Sequence, residues 1–172
     1  MLVRSRLTAQ EAVPFLRGLV AADEHQVRRD IAAGKNPLAV TRGLLDGSIR
    51  YIRRDPREEW KTRNQVLAEG GGDCEDLSAA VAGEFNEVYF AGGFGAHANQ
   101  IPDFPSPPRE VRNAMPSEGW VPTSILPRPT FPTSIKAIPV VYKAKPHLYH
   151  VVVHVPGKGF IDPSVAGGMR KV

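Results

Sequence analysis

Apolar residues recur at near-helical intervals in the first part of the chain: Val13, Leu16, Leu19, Val20, Val27 and Ile31 share one side of a predicted helix. Thr8 followed by Glu11 has the form of a capping box at its start. Pro14 interrupts the pattern, so the helix either begins at Pro14 or is kinked there. Gly34 reads as a helix stop, and Asn36-Pro37 as an N-cap with proline in the first helical position. Leu38, Leu44, Leu45, Ile49 and Ile52 predict a second helix that ends before Asp55-Pro56. Thr62 with Gln65 makes another capping box, opening a short helix that stops at Gly70-Gly71-Gly72. Asp73 then caps a helix running from 74 to about 89, with Leu77, Val81, Phe85 and Val88 on one face and Gly92-Gly93 at its end.

Beyond residue 100 the pattern changes. Ten of the sixteen prolines fall between 101 and 139, so that segment is expected to be neither a helix nor a central strand. It reads as an extended lid or a partner-binding arm. Residues 140–143 and 148–155 then predict strands, followed by a turn at Pro156-Gly157-Lys158-Gly159 and a returning strand over 160–162. Helices first and an antiparallel sheet last define an α+β fold in a single domain, residues 1–172, with an N-terminal helical part at 8–70 and a proline-rich insertion at 101–139.

Composition narrows the classes. At 172 residues, 42% hydrophobic and 23% charged, the chain can bury a core and is not generally disordered. One cysteine excludes an intrachain disulfide. The N-terminus lacks a signal peptide's apolar core, and no apolar run nears the roughly 20 residues needed to span a bilayer, which leads us to expect a cytoplasmic protein with no membrane partner. Net charge is +4, and residues 1–68 hold 13 bases against 8 acids. Because Asp55, Glu58 and Glu59 interleave the bases of that stretch without an aromatic ladder, a solvated face is expected rather than nucleic-acid binding.

The single thiol lies in Gly72-Asp73-Cys74-Glu75-Asp76-Leu77, at a predicted helix N-terminus. The helix dipole and unpaired N–H groups there favour a thiolate and can stabilise an oxyanion, and the glycines allow close approach of a substrate backbone. Asp73, Glu75 and Asp76 push the other way by repulsion, and a cationic partner is then required. The bland alternative is a buried apolar cysteine beside an acidic cap. A cysteine nucleophile needs an imidazole and usually a group to orient it. Of five histidines, His25 lies on a charged helix and His97 has no obvious acidic partner. His147, His150 and His154 cluster where a hairpin returns to Asp162, with His150 and His154 on one strand face.

Trp60-Lys61-Thr62, Leu67 and Gly72-Asp73-Cys74-Glu75-Asp76-Leu77 resemble the nucleophile motif of transglutaminase-like cysteine peptidases of the papain-like superfamily, above all the bacterial transglutaminase-like cysteine proteinases. Tyr149-His150-Val151-Val152-Val153 and Gly159-Phe160-Ile161-Asp162-Pro163 resemble the histidine and Asp-Pro strands of the same family. The likeness covers roughly 49–92 and 147–163. It implies a papain-like core in which the Cys74 helix packs on the antiparallel sheet, with Cys74 as nucleophile, His150 as general base and then acid, Asp162 as orienting carboxylate and Trp60 lining the site for a protein or peptide substrate. It requires no cofactor; calcium bound by Asp73 and Glu75, as in some relatives, is a further expectation. Val152 stands where the family commonly has an aromatic residue, the interval from His150 to Asp162 is short, and the insertion at 101–139 has no counterpart in the pattern.

Two functions follow from the resemblance. One is cysteine-dependent acyl transfer, as a thiol protease, deamidase or transglutaminase. The other is a structural or assembly protein, such as a bacteriophage virion component assembled in the cytoplasm, that keeps the fold and docks a partner through 101–139. Ile101, Phe104, Trp120 and Phe131 discriminate: a lid buries them against its own domain, and an assembly arm against another chain.

Overall fold

The computed structural model describes residues 9–53, 60–91, 98–107, 136–145 and 148–169. Thr8, Gly92-Gly93, His97, His147 and most of the proline-rich segment, with Trp120 and Phe131, lie outside the described residues. Helix and strand are mixed, as an α+β fold requires. The elements are α1 (Ala9–Ala32), α2 (Ala39–Asp46), β1 (Arg50–Tyr51), α3 (Arg63–Glu69), β2 (Gly71–Gly72), α4 (Cys74–Tyr89), β3 (Ile138–Lys145), β4 (Leu148–Val155), β5 (Gly159–Ile161) and α5 (Pro163–Ala166). No described helix is long and apolar enough to cross a membrane.

Helix α1 runs through Pro14, with Ala12 and Leu16 buried on either side of it. The second helix is shorter than its apolar spacing predicts. Gly47, in the left-handed region at φ +82°, ends α2, and Arg50–Tyr51 pair in parallel with Gly71–Gly72. Asn36 is not the cap: its side chain accepts from Leu38 N–H before the helix begins. The cap comes from α4 instead, where Glu84 accepts from Val40 N–H and Thr41 N–H at 2.8 Å each. Asp23 of α1 serves α3 similarly, accepting from Arg63 N–H at 2.8 Å. The fully buried Arg63 guanidinium joins these helices, bonding Glu84 at 2.7 Å and Asp30 at 2.6 Å. A buried charge needs both pairing and satisfied hydrogen bonds, and this cluster supplies both.

Helix α4 is the hub, buried along nearly its whole length. Leu77, Val81 and Phe85 pack with Val151, Val153 and Val155, which alternate with His150, Val152 and His154 on the other face of β4. Strand β4 is central in the antiparallel order β3-β4-β5, and Ser78 Oγ donates to the Val151 carbonyl at 3.0 Å. Strand β3 starts at Ile138, earlier than predicted, and takes in Pro139; it is an edge strand, where a missing N–H is tolerated.

Both ends of the proline-rich segment belong to this domain. Ile101 is buried, and Phe104 lies edge-on to Phe85 with ring centroids 6.0 Å apart. At the far end Ala137 N–H donates to Asn86 Oδ1, and Lys136 bonds Glu24.

Candidate active site

Asp73 caps α4 through a reciprocal box: its Oδ1 accepts from Asp76 N–H, and Asp76 Oδ2 accepts from Asp73 N–H, both at 3.3 Å. The other Asp76 oxygen accepts from Lys61 N–H at 2.7 Å, which brings Trp60 to the same end of the helix. Gly71 and Gly72 act differently from their sequence reading. A Cβ on Gly71 would lie 2.3 Å from the Arg50 carbonyl oxygen, and one on Gly72 would lie 2.7 Å from Asp76 Cβ. Their smallness admits β1 and the capping box, where a substrate backbone was expected.

This scaffold places Cys74 first in α4, 7% exposed. Its thiol donates to Glu75 Oε2 at 2.9 Å and is bonded by the backbone of Val151, the residue after His150 on β4. Burial, then the negative charges of Glu75 and Asp73, push the thiol well above the usual cysteine range, against the opposing pull of Val151. Repulsion and burial therefore outweigh the helix N-terminus, and the resting thiol is neutral. The same crowding raises the acids: burial and the charges of Glu75 and Asp76 push Asp73 up to about 10, and burial lifts Asp76 to about 7.

His150 Nε2 lies 2.9 Å from Asp162 Oδ2, and both side chains are almost completely buried. The β4–β5 register, with Val153 opposite Ile161, carries the carboxylate to His150. His154 lies across from Phe160 instead, with ring centroids 5.0 Å apart. Asp162 is committed on its other side too: it caps α5, its Oδ1 accepting from Ser164 N–H at 3.0 Å and Val165 N–H at 3.3 Å. With Nε2 on Asp162, Nδ1 is the ring nitrogen on the far side of the imidazole.

Trp60 is half-buried and meets Phe15 at a centroid distance of 5.8 Å, the two rings lining an open apolar groove along α1 with Leu19 and Ala22. Tyr51 went unnoticed in the sequence because its segment read as helix. Burial, and then the negative charge that Cys74, Asp73 and Glu75 take on when they ionise, hold its hydroxyl protonated far above the ordinary range. Among the described residues no group of three or more His, Cys, Asp or Glu side chains is arranged to hold a metal ion. Asp73 and Glu75 share a hydrogen bond between carboxyl groups, which requires a proton and falls far short of the six to eight oxygens of a calcium site. They do not fit that ion as arranged.

Comparison of the chain with family models, with curated proteins and with solved structures gives no match in any of the three.

Proposed function

We propose that the protein is a cysteine-dependent acyl-transfer enzyme with a papain-like, transglutaminase-like core, acting in the cytoplasm on peptide or side-chain amides. The observation that carries this reading is the buried pair of His150 on β4 and Asp162 just past β5, 2.9 Å apart, with the backbone of Val151, next to His150, bonding the Cys74 thiol. Asp162 fixes the tautomer and orientation of the imidazole through Nε2, and Nδ1 is the nitrogen we assign to take the thiol's proton. Attack requires the thiol to turn from Glu75 toward that nitrogen. Sulfur then adds to the amide carbonyl as its proton passes to His150. The first N–H groups of α4, those of Cys74 and Glu75, are suited to the oxyanion, since that of Asp76 is taken by Asp73. Collapse breaks the C–N bond, and the imidazolium returns the proton to the departing amine. Water or a second amine, deprotonated by His150, cleaves the thioester and restores the thiol.

p-Nitrophenyl acetate is the test substrate, because it needs no specific side chain. The reading predicts a burst of nitrophenol and an acetyl group on Cys74 by peptide mass mapping, both lost in Cys74→Ser and His150→Ala. Acetylation spread over lysines, with Cys74 unmodified, contradicts it.

One observation favours a second reading. The neutral thiol held by Glu75 suits a structural or assembly protein, such as a virion component, whose nucleophile is vestigial. In that reading the proline-rich segment carries the partner contact. The burial of Ile101 and the packing of Phe104 within their own domain favour the enzyme.

A further inference from the structure

Strand β5 is three residues long and leaves the chain at Asp162 with an edge to satisfy. Residues 101–107 lie along that edge. Pro105 supplies a carbonyl there, accepting from Asp162 N–H at 3.3 Å. Pro102, Pro105 and Pro107 have no N–H to donate, so this segment cannot be held as a further strand. It is held by side chains. Lys158 donates from its ammonium group to the Ile101 carbonyl and, at 3.2 Å, to Asp103 Oδ1. Lys158 occupies the tight β4–β5 turn between Gly157 at φ +79° and Gly159 at φ +83°, which presents it to the strap. The buried Ile101 and the Phe104–Phe85 contact hold the other face.

We infer that residues 101–107, anchored by Lys158, are a strap that orients the Asp162 carboxylate, and that Lys158 is a positioning residue for His150. Asp162 is fixed at three points: its N–H by Pro105, Oδ1 by the first turn of α5, and Oδ2 toward Nε2 of His150. With the backbone and Oδ1 fixed, little rotation about the side-chain bonds remains for Oδ2. The strap also completes the complete burial of Asp162, keeping water from competing for the imidazole N–H. The inference rests on reading His150 and Asp162 as base and orienting carboxylate.

The test uses the full chain labelled with 15N-histidine. The His150 Nε2–H resonance should be shifted downfield by Asp162 in the wild type and absent in Asp162→Asn. Lys158→Met should lose that resonance to exchange with water and slow alkylation of Cys74 by iodoacetamide several-fold. Lys158→Arg should restore both, which a merely structural turn residue does not require. If Lys158→Met fails to fold, Phe104→Leu loosens the strap at its other anchor and should weaken the same resonance. A resonance unchanged in Lys158→Met, or in Phe104→Leu where the first variant cannot be read, overturns the inference. Because the resonance is read without thiol chemistry, a wild type that shows it while Cys74 stays inert sinks the catalytic reading alone.

Discussion

Two acidic clusters, one buried and one partly buried, sit at helix N-termini in this protein and are built on opposite terms. Around Arg63, Asp30 and Glu84 meet a guanidinium, and the remaining carboxylate capacity of Glu84 is filled by Val40 and Thr41 N–H groups. Around Cys74, Asp73, Glu75 and Asp76 crowd together, and apart from the Lys61 N–H that bonds Asp76 their hydrogen bonds run among their own groups or to the thiol. The first arrangement satisfies its charges and joins α1, α2, α3 and α4. The second leaves protons trapped on groups that ordinarily lose them. Strongly shifted carboxyl groups gather where chemistry is done, and the crowding around Cys74 supports the proposed site, although Asp23 beside Arg63 is raised by burial as well.

The largest effect should come from breaking the balanced cluster. Arg63→Met leaves Glu84 and Asp30 buried without their cation and should cost about 3–5 kcal/mol in urea unfolding. A loss under about 1 kcal/mol would mean that the network adds nothing to the packing around it.

The crowded cluster should show itself through pH. Burial raises Asp76 in that cluster to about 7 from the ordinary value of 3.8, and does the same to Asp23 beside Arg63. A raised carboxyl binds its proton more tightly folded than unfolded, so its contribution is fully present below about pH 4 and lost as pH rises through 7. Stability should therefore decline between about pH 4 and 7, and Asp23→Asn should flatten the slope. A curve that rises over this range contradicts the protonated acids. Glu75→Gln removes one negative charge from the thiol, so the ultraviolet absorbance of the thiolate should appear at lower pH than in the wild type. No shift would show that the Glu75 charge does not set the Cys74 proton.

Much of this fold was legible in the chain. The Thr62–Gln65 box opens α3 with both of its halves formed, and Asp73 caps α4 where the motif puts it. Those signals lie within a few residues of each other. What was misread depends on distant partners. Ile49 and Ile52 keep helical spacing, yet the chain there pairs with Gly71–Gly72, and α2 takes its cap from Glu84, 44 residues from Val40. The site divides the same way. Candidate residues were visible from motif and register, but whether dipole or repulsion governs Cys74 turns on burial, which a sequence does not display. Lys158 gave no signal beyond its place in a turn.

A smaller effect separates the two strand histidines. His154→Ala removes a ring contact with Phe160 and should cost under about 1 kcal/mol, with the His150 resonance unchanged. Loss of that resonance would tie His154 to the pair.

The most direct measurement is the rate of Cys74 alkylation by iodoacetamide in the native protein from pH 6 to 10, with and without His150. The neutral, buried thiol predicts slower modification near pH 7 than a free thiol shows, rising well into the alkaline range. His150→Ala should lower the rate further, because in the proposed mechanism the imidazole accepts the thiol proton. A thiol that stays unmodified until the protein unfolds, or a profile indifferent to His150, contradicts the account.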